Sequence, residues 1–302
     1  MMSTSQLHRI AVWLLLASHA WAFQQYRLLS TSAPLRESST CLPMAEPDTT
    51  VTTESTASTE KLDDDTNPRL QGLALQLDDG TRQSHSVAQN TAFVTGFFKG
   101  LSTPTAYRNL LTSLYFVYQA MEEEIMDQTK DPRVKALDDP ELRRVDALKK
   151  DMDYFYGSDW ESTITPSPAT RAYVDHILQI QEGDGSKSYL MIAHQYTRYL
   201  GDLFGGQMMS GMATRSLDLP KDGQGVAFYQ FGDIGSAKDF ITDWYTRLNE
   251  LDLTDAQKQE IVDEANRVFD LNIDILQELE GSAWKAIWTM TVSSLKEKLG
   301  WQ

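Results

Sequence analysis

Three glycines fall within six residues, Gly201, Gly205 and Gly206, in the stretch Tyr196-Thr-Arg-Tyr-Leu-Gly-Asp-Leu-Phe-Gly-Gly-Gln207. The surrounding pattern is helical from Ser188 to Leu217. An interior glycine costs about 1 kcal/mol relative to alanine, so the three together cost roughly 3 kcal/mol. Something must approach this backbone closely enough to make side chains unwelcome. Gly201 and Gly205 are four apart and share a face, and Asp202 adjoins it. A flat, bulky ligand against a bent helix, with one carboxylate nearby, accounts for the arrangement. So does close packing of a second helix into the notch. Arg198, Asp202 and Arg215 flank the glycines and argue against a membrane dimerisation notch.

Other residues able to do chemistry are few. Beyond the first 45 residues the histidines are His85, His176 and His194. None belongs to a His-Glu-x-x-His or Glu-x-x-His motif, so a zinc protease or a carboxylate di-iron bundle finds no support. A lone helical histidine is more often a surface or core residue than a ligand. On the face of His85, however, sit Ala88, Gln89 and Ala92, mostly small groups that leave room for a ring system. Two polar groups intrude on apolar stripes: Tyr118 on one, and Asn272 within Ile261, Ala265, Val268, Ile275 and Leu279. A buried amide is costly unless bonded, so Asn272 belongs either to a polar network or to a satisfied core bridge.

The elements that must position these residues read as helices, with no alternating strand pattern. The first is expected over Thr81–Phe98, with Thr81 as N-cap. The second opens at Thr103-Pro104, where proline takes the first helical position, and carries the stripe Tyr107, Leu111, Leu114, Tyr118, Met121 and Ile125. Asp139-Pro140 opens a third ending near Gly157, and Ser167-Pro168 a fourth ending near Gly183. After the glycine-bearing helix, Ser236 starts another. Thr254 and Gln257 form a capping box for a long helix to Glu280. A last segment, Ser282–Leu299, places Trp284, Ile287, Trp288, Leu295 and Leu299 largely on one side. The fold class is all-α: one domain over 67–281, with 282–302 as a C-terminal helical extension.

The 302 residues carry 27 basic and 43 acidic side chains, a formal charge of −16, which argues against nucleic acid as partner. The single cysteine, Cys41, rules out an internal disulfide and any multi-cysteine metal site. Arg9, the apolar run from Ile10 and the small residues up to Ala22 have the layout of a cleavable signal peptide. Gln24 to Ala45 is rich in serine, threonine and leucine. Residues 1–45 thus resemble the two-part presequence of plastid proteins in algae with secondary plastids, which implies the plastid stroma. Ordinary secretion or an endomembrane lumen is the alternative. Residues 46–66 are acidic and Ser/Thr-rich, with too little apolar surface to offset chain entropy, and are expected to be a disordered linker. No apolar run beyond the N-terminus is long enough to span a membrane.

The segment His194-Gln-Tyr-Thr-Arg-Tyr-Leu-Gly-Asp-Leu-Phe-Gly-Gly-Gln207 resembles the signature helix of haem oxygenases. Thr81-Arg-Gln-Ser-His-Ser-Val-Ala-Gln-Asn-Thr-Ala-Phe93 is similar to the family segment that supplies the proximal iron ligand. The likeness extends through Ser113–Ile125 and Phe269–Ile273, and covers roughly Asp79 to Leu279. It implies a single-domain helical bundle holding haem between a proximal helix and a glycine-bent distal helix. His85 becomes the axial iron ligand, with Arg82, Gln89, Tyr196, Gly206 and Phe269 joining it and the cradle glycines around the cofactor. Tyr118, Arg198, Asp202 and Asn272 fall on the distal water network, and Asp202 on the group that delivers a proton through water while Gly201 and Gly205 let the helix lie against the ring. The implied reaction opens haem to biliverdin, CO and Fe²⁺, with O₂ and electrons from an external donor such as ferredoxin or another plastid reductant. A monomer without a membrane anchor is expected.

The chain also departs from the animal-type pattern. Where those enzymes hold the haem propionates with basic residues, it has Asp78, Ile241 and Tyr245, although Arg82 keeps its charge and Arg247 stands nearby in sequence. Gln89 replaces a glutamate, Phe204 a small residue, and Ser210 and Gly211 stand in a region associated with reductase docking. Arg143, Arg144, Lys149 and Lys150 form either a local basic patch or a solvated helix face. Retention of His85, Asp202 and the glycines favours the enzyme, and loss of the propionate-binding basics favours a non-catalytic haem or bilin carrier. A helical scaffold docking through its tryptophan-bearing tail is a third reading.

Overall fold

The computed structural model describes residues 67–98, 103–127, 131–181 and 185–299, and of 97–98, 127, 181, 207 and 281–299 the backbone alone. The expected presequence, the acidic linker and the apolar side from Trp284 to Leu299 lie outside these. The described chain is helical, and among the described residues there is no strand. After a short 3₁₀ turn, Pro68–Leu70, the helices are α1 (Gly72–Gln89), α2 (Ala92–Phe98), α3 (Pro104–Asp127), the single turn α4 (Pro132–Lys135), α5 (Val145–Tyr156), α6 (Pro168–Gln181), α7 (Met191–His194), α8 (Gly201–Ser216), α9 (Ala237–Asn249) and α10 (Asp255–Leu299). A six-residue π-helical turn, Gln195–Leu200, joins α7 to α8 without interruption.

Local signals set most helix starts. Thr103 Oγ1 accepts from the Ala106 N–H at 3.1 Å, and Ser167 Oγ from the Thr170 N–H at 3.2 Å, each just ahead of a proline at the first helical position. At the start of α10 the capping box is reciprocal: Thr254 Oγ1 accepts from the Gln257 N–H (3.2 Å) while Gln257 Oε1 accepts from the Thr254 N–H (3.0 Å). Ser236 caps α9 through the Asp239 N–H. The stripe Tyr107, Leu111, Leu114, Tyr118, Met121 and Ile125 is buried throughout, as are Ile261, Ala265, Val268, Ile275 and Leu279 of α10. Helix α10 is the central pillar, with α1, α6 and α7 packed along it, while α3 lies between α5 and α6.

Four boundaries differ from the sequence expectation. The first helix begins at Gly72, and Thr81 lies inside it, its hydroxyl donating to the Leu77 carbonyl at 2.7 Å instead of capping. Gly80, inside this helix, is a packing glycine: a Cβ there would clash with Val262 Cγ1 of α10. That helix also stops at Gln89, leaving Ala92–Phe98 separate. Asp139-Pro140 opens only a 3₁₀ turn and α5 starts at Val145, because the Asp139 carboxylate makes no cap and instead pairs with Arg247 at 2.8 Å. The last helix runs through Gly281 and Ser282 unbroken, so no separate segment begins at 282.

Candidate active site

The π-helical turn places Tyr196 and Arg198 just ahead of the glycines, and such wide turns recur at functional sites. A Cβ built on Gly201 or on Gly205 would meet no atom within 4 Å. No helix fills this notch, so of the two readings of the glycine pair the close-packed helix is excluded and an open backbone face stands. Gly206, grouped with them in the sequence, is turned elsewhere: its Cβ would lie 3.3 Å from the Tyr229 carbonyl oxygen. It lets the turn Ala227–Tyr229 pack on α8, which is a structural task. Phe204 and Met208 are about half exposed on the same helix (49% and 44%), large apolar groups beside an open backbone.

Four polar residues from four elements meet at Asp202. The Tyr118 hydroxyl of α3 donates to Asp202 Oδ2. Arg198 reaches the same oxygen at 3.4 Å and donates through its other terminal nitrogen to Asn272 Oδ1 of α10 at 2.8 Å. The Arg198 guanidinium also stands 5.3 Å from the centre of the Tyr118 ring. Asn272, the polar break in the α10 stripe, is thus tied to Asp202 through Arg198.

Burial decides the electrostatics. It raises the Asp202 pKa above the usual carboxylate range, although Arg198 and the Tyr118 hydrogen bond pull it down. Burial also pushes the Tyr118 hydroxyl well up, so Tyr118 stays protonated and remains a donor. It works against the Arg198 charge, but Asp202 and Tyr118 outweigh it and hold the guanidinium protonated. The Tyr173 hydroxyl and Arg198 Nε are buried without a protein partner, and ordered water commonly satisfies such groups.

On α1, His85 is exposed, and its ring stands nearly perpendicular to that of Phe269 of α10, centroids 5.8 Å apart. Its surroundings lower its pKa through burial, with Asp78 acting against and Arg69 with that effect, so the imidazole favours its neutral, metal-ligating form. Gln89 Nε2 lies 3.5 Å from His85 Nε2, the outer limit of a hydrogen bond.

Charged residues around the site are placed less as the sequence suggested. Arg82 is exposed and paired with Asp79. Arg247 is committed elsewhere, to Asp139, Asp243 (2.9 Å) and the Ala136 carbonyl. Ile241 and Tyr245 are core residues. The basic patch does not form: Arg144 is buried, its guanidinium donating to the carbonyls of Glu141, Leu142, Phe228 and Gln230 and lying 3.8 Å over the Phe231 ring, and Arg143 pairs with Asp138 at 2.7 Å. One cation was missed. Arg69 pairs with Asp78 on α1 at 2.7 Å and stands 5.6 Å over the Phe204 ring of α8, bridging the two helices.

An exposed imidazole on one helix, and on another a bare backbone face beside an acid whose proton affinity is raised, suit a flat ligand carrying a metal at its centre. Haem fits this donor set: a Cβ-free cradle, one nitrogen ligand and apolar side chains beside them. The family model described as "Heme oxygenase" matches residues 71–278. Among curated relatives, "Heme oxygenase 1" of a Nostoc species is 42% identical over 226 residues, 75% of this chain and 93% of the relative. "Heme oxygenase" of Guillardia theta is 42% identical over 70% of this chain and 87% of its own length. The crystal structure of heme oxygenase-1 from a Synechocystis cyanobacterium in complex with heme is 41% identical and superposes with a TM-score of 0.69, covering 74% of this chain and all of that one.

The chain belongs to the heme oxygenase family. With the acid network assembled, it is a catalytic haem oxygenase and not a non-catalytic carrier. Among the described residues no helix is long and apolar enough to cross a membrane.

Proposed function

We propose that this chain opens haem to biliverdin, CO and Fe²⁺ in a plastid, drawing electrons from a ferredoxin-type donor. The observation that carries the reading is the open face at Gly201 and Gly205 directly beside buried Asp202. Haem, when bound, supplies the O₂-activating iron and is itself the substrate. The protein's residues hold, orient and exclude. His85 would hold the iron through an imidazole nitrogen, and Phe269 packs against its ring. Gly201 and Gly205 admit the ring to the backbone, so the distal helix restricts the side from which a small ligand can lie. Asp202 Oδ2 is where a proton is held: burial raises its proton affinity, Tyr118 donates to it, and Arg198 anchored on Asn272 fixes its position. Arg69 and Arg82 are the cations nearest the α1 edge of the site and take the place of the missing propionate-binding residues.

The plastid assignment rests on the sequence of residues 1–45, and the donor on the algal and cyanobacterial character of the relatives. Comparing reduced ferredoxin with a flavoprotein reductase as sole electron source tests the donor. Turnover faster with ferredoxin is expected, and turnover with the flavoprotein alone would overturn it. A fluorescent fusion of residues 1–66 tests the address, with secretion as the contrary result.

A further inference from the structure

His176 of α6, His194 of α7 and Glu264 of α10 meet one helical turn before Arg198, outside the set of residues assigned to haem. His176 Nε2 lies 2.7 Å and His194 Nε2 3.0 Å from the same oxygen, Glu264 Oε1. The two imidazoles stack, centroids 6.1 Å apart at 29°. His194 is completely buried and Glu264 nearly so, while His176 is partly open, so the cluster is sealed on one side and reachable from the other. All three ligand atoms lie within 4.8 Å of one another.

We propose that His176, His194 and Glu264 form a binding site for one divalent first-row transition-metal ion of the zinc(II) or iron(II) class. Two imidazoles and a carboxylate are the donor set such ions take, at about 2.0–2.2 Å from each ligand atom. Ligand atoms around a tetrahedral ion are then about 3.4 Å apart, so the two N···O contacts of 2.7 and 3.0 Å open and the overall spread of up to 4.8 Å closes by small side-chain movements. Both Nε2 atoms already aim at one oxygen, so an ion entering there takes their lone pairs once each ring carries its proton on Nδ1, and gains three ligands with the carboxylate. The charge suits a cation. Hydrogen bonds from the two histidines outweigh burial and hold Glu264 down at about 2, burial keeps His194 towards neutral, and among the described residues the ion-pair partners of Glu264 are these two histidines alone. The ligands come from three helices, which is why no local motif announces them.

The test uses the full-length, untagged, haem-free chain after chelator treatment, titrated with Zn²⁺, with Fe²⁺ under anaerobic conditions, and with Co²⁺ as an absorbing probe. One equivalent per chain is expected, with a visible Co²⁺ ligand-field band. His176→Ala, at the partly open position, should weaken binding by about a hundredfold or more with its helical circular dichroism intact. His85→Ala should leave binding unchanged, since its exposed imidazole is the obvious competing ligand. Displacement of Co²⁺ by Zn²⁺ or by Fe²⁺ ranks the two ions. Equal binding by wild type and a folded His176→Ala variant, binding lost only in His85→Ala, or no binding at all would show that the cluster is a hydrogen-bonded triad only.

Discussion

Tyr118 on α3 donates its hydroxyl proton to the Asp202 carboxylate on α8, joining residues 84 positions apart. This contact brings a donor that stays protonated to an acid whose proton affinity is already raised by burial. Asp202→Ala should therefore bind haem as the wild type does and lose about 10²–10⁴-fold in cleavage rate, the usual worth of a positioned acid. Tyr118→Phe should fall between the two. CO released per haem consumed is the readout. A normal CO yield from Asp202→Ala would remove Asp202 from proton delivery.

The glycines separate by what lies opposite them. Gly201→Ala and Gly205→Ala meet no neighbour, so each should stabilise the haem-free protein by about 1 kcal/mol through helix propensity while weakening haem binding. Gly206→Ala meets the Tyr229 carbonyl and should destabilise the fold with little direct effect on haem affinity. Thermal melts and haem titrations of the three variants check this. Equal effects on haem affinity would dissolve the distinction.

His85→Ala should keep the fold, because the ring is exposed and its contact is one edge against Phe269. It should lose turnover, with added imidazole restoring the haem spectrum of the wild type. A spectrum unchanged by His85→Ala would assign the iron to another ligand.

Glu122 gives a pH signature away from the site. It is buried, accepts from the Arg144 N–H, and lies near the Val145 N–H at 3.3 Å, yet burial raises its pKa from 4.5 to about 7. The folded state thus holds this proton more tightly than the unfolded state. Its contribution to stability is full below about pH 4.5 and declines as pH rises towards about 7. Glu122→Gln keeps an oxygen acceptor for both N–H groups and cannot ionise, so the melting temperature should fall less across that window than in the wild type. An unchanged slope would assign the dependence to other groups, Asp151 first, since burial raises it to about 6.

Signals carried within one turn or one stripe were legible in the sequence. The prolines and capping box that start α3, α6 and α10, the buried stripes, and the polar intrusions Tyr118 and Asn272 all stand where their spacing put them. What could not be read depends on partners far along the chain. Thr81 reads as an N-cap until the helix is seen to start at Gly72, and Gly206 looks like part of the cradle until Tyr229 is seen against it. Arg144 reads as surface charge, but four backbone carbonyls collect its guanidinium. Arg69 and the His176–His194–Glu264 cluster are assembled by tertiary packing, and no spacing rule connects their members.

A single-turnover experiment tests most directly whether the open glycine face and its acid serve haem cleavage. Haem is titrated into the protein, reduced ferredoxin and O₂ are supplied, and the spectrum is followed together with CO release. A Soret band should form and then decay into biliverdin absorption with one CO per haem. A Soret band that persists without CO despite a competent reductant would contradict this, and failure to form the band would remove haem from the site.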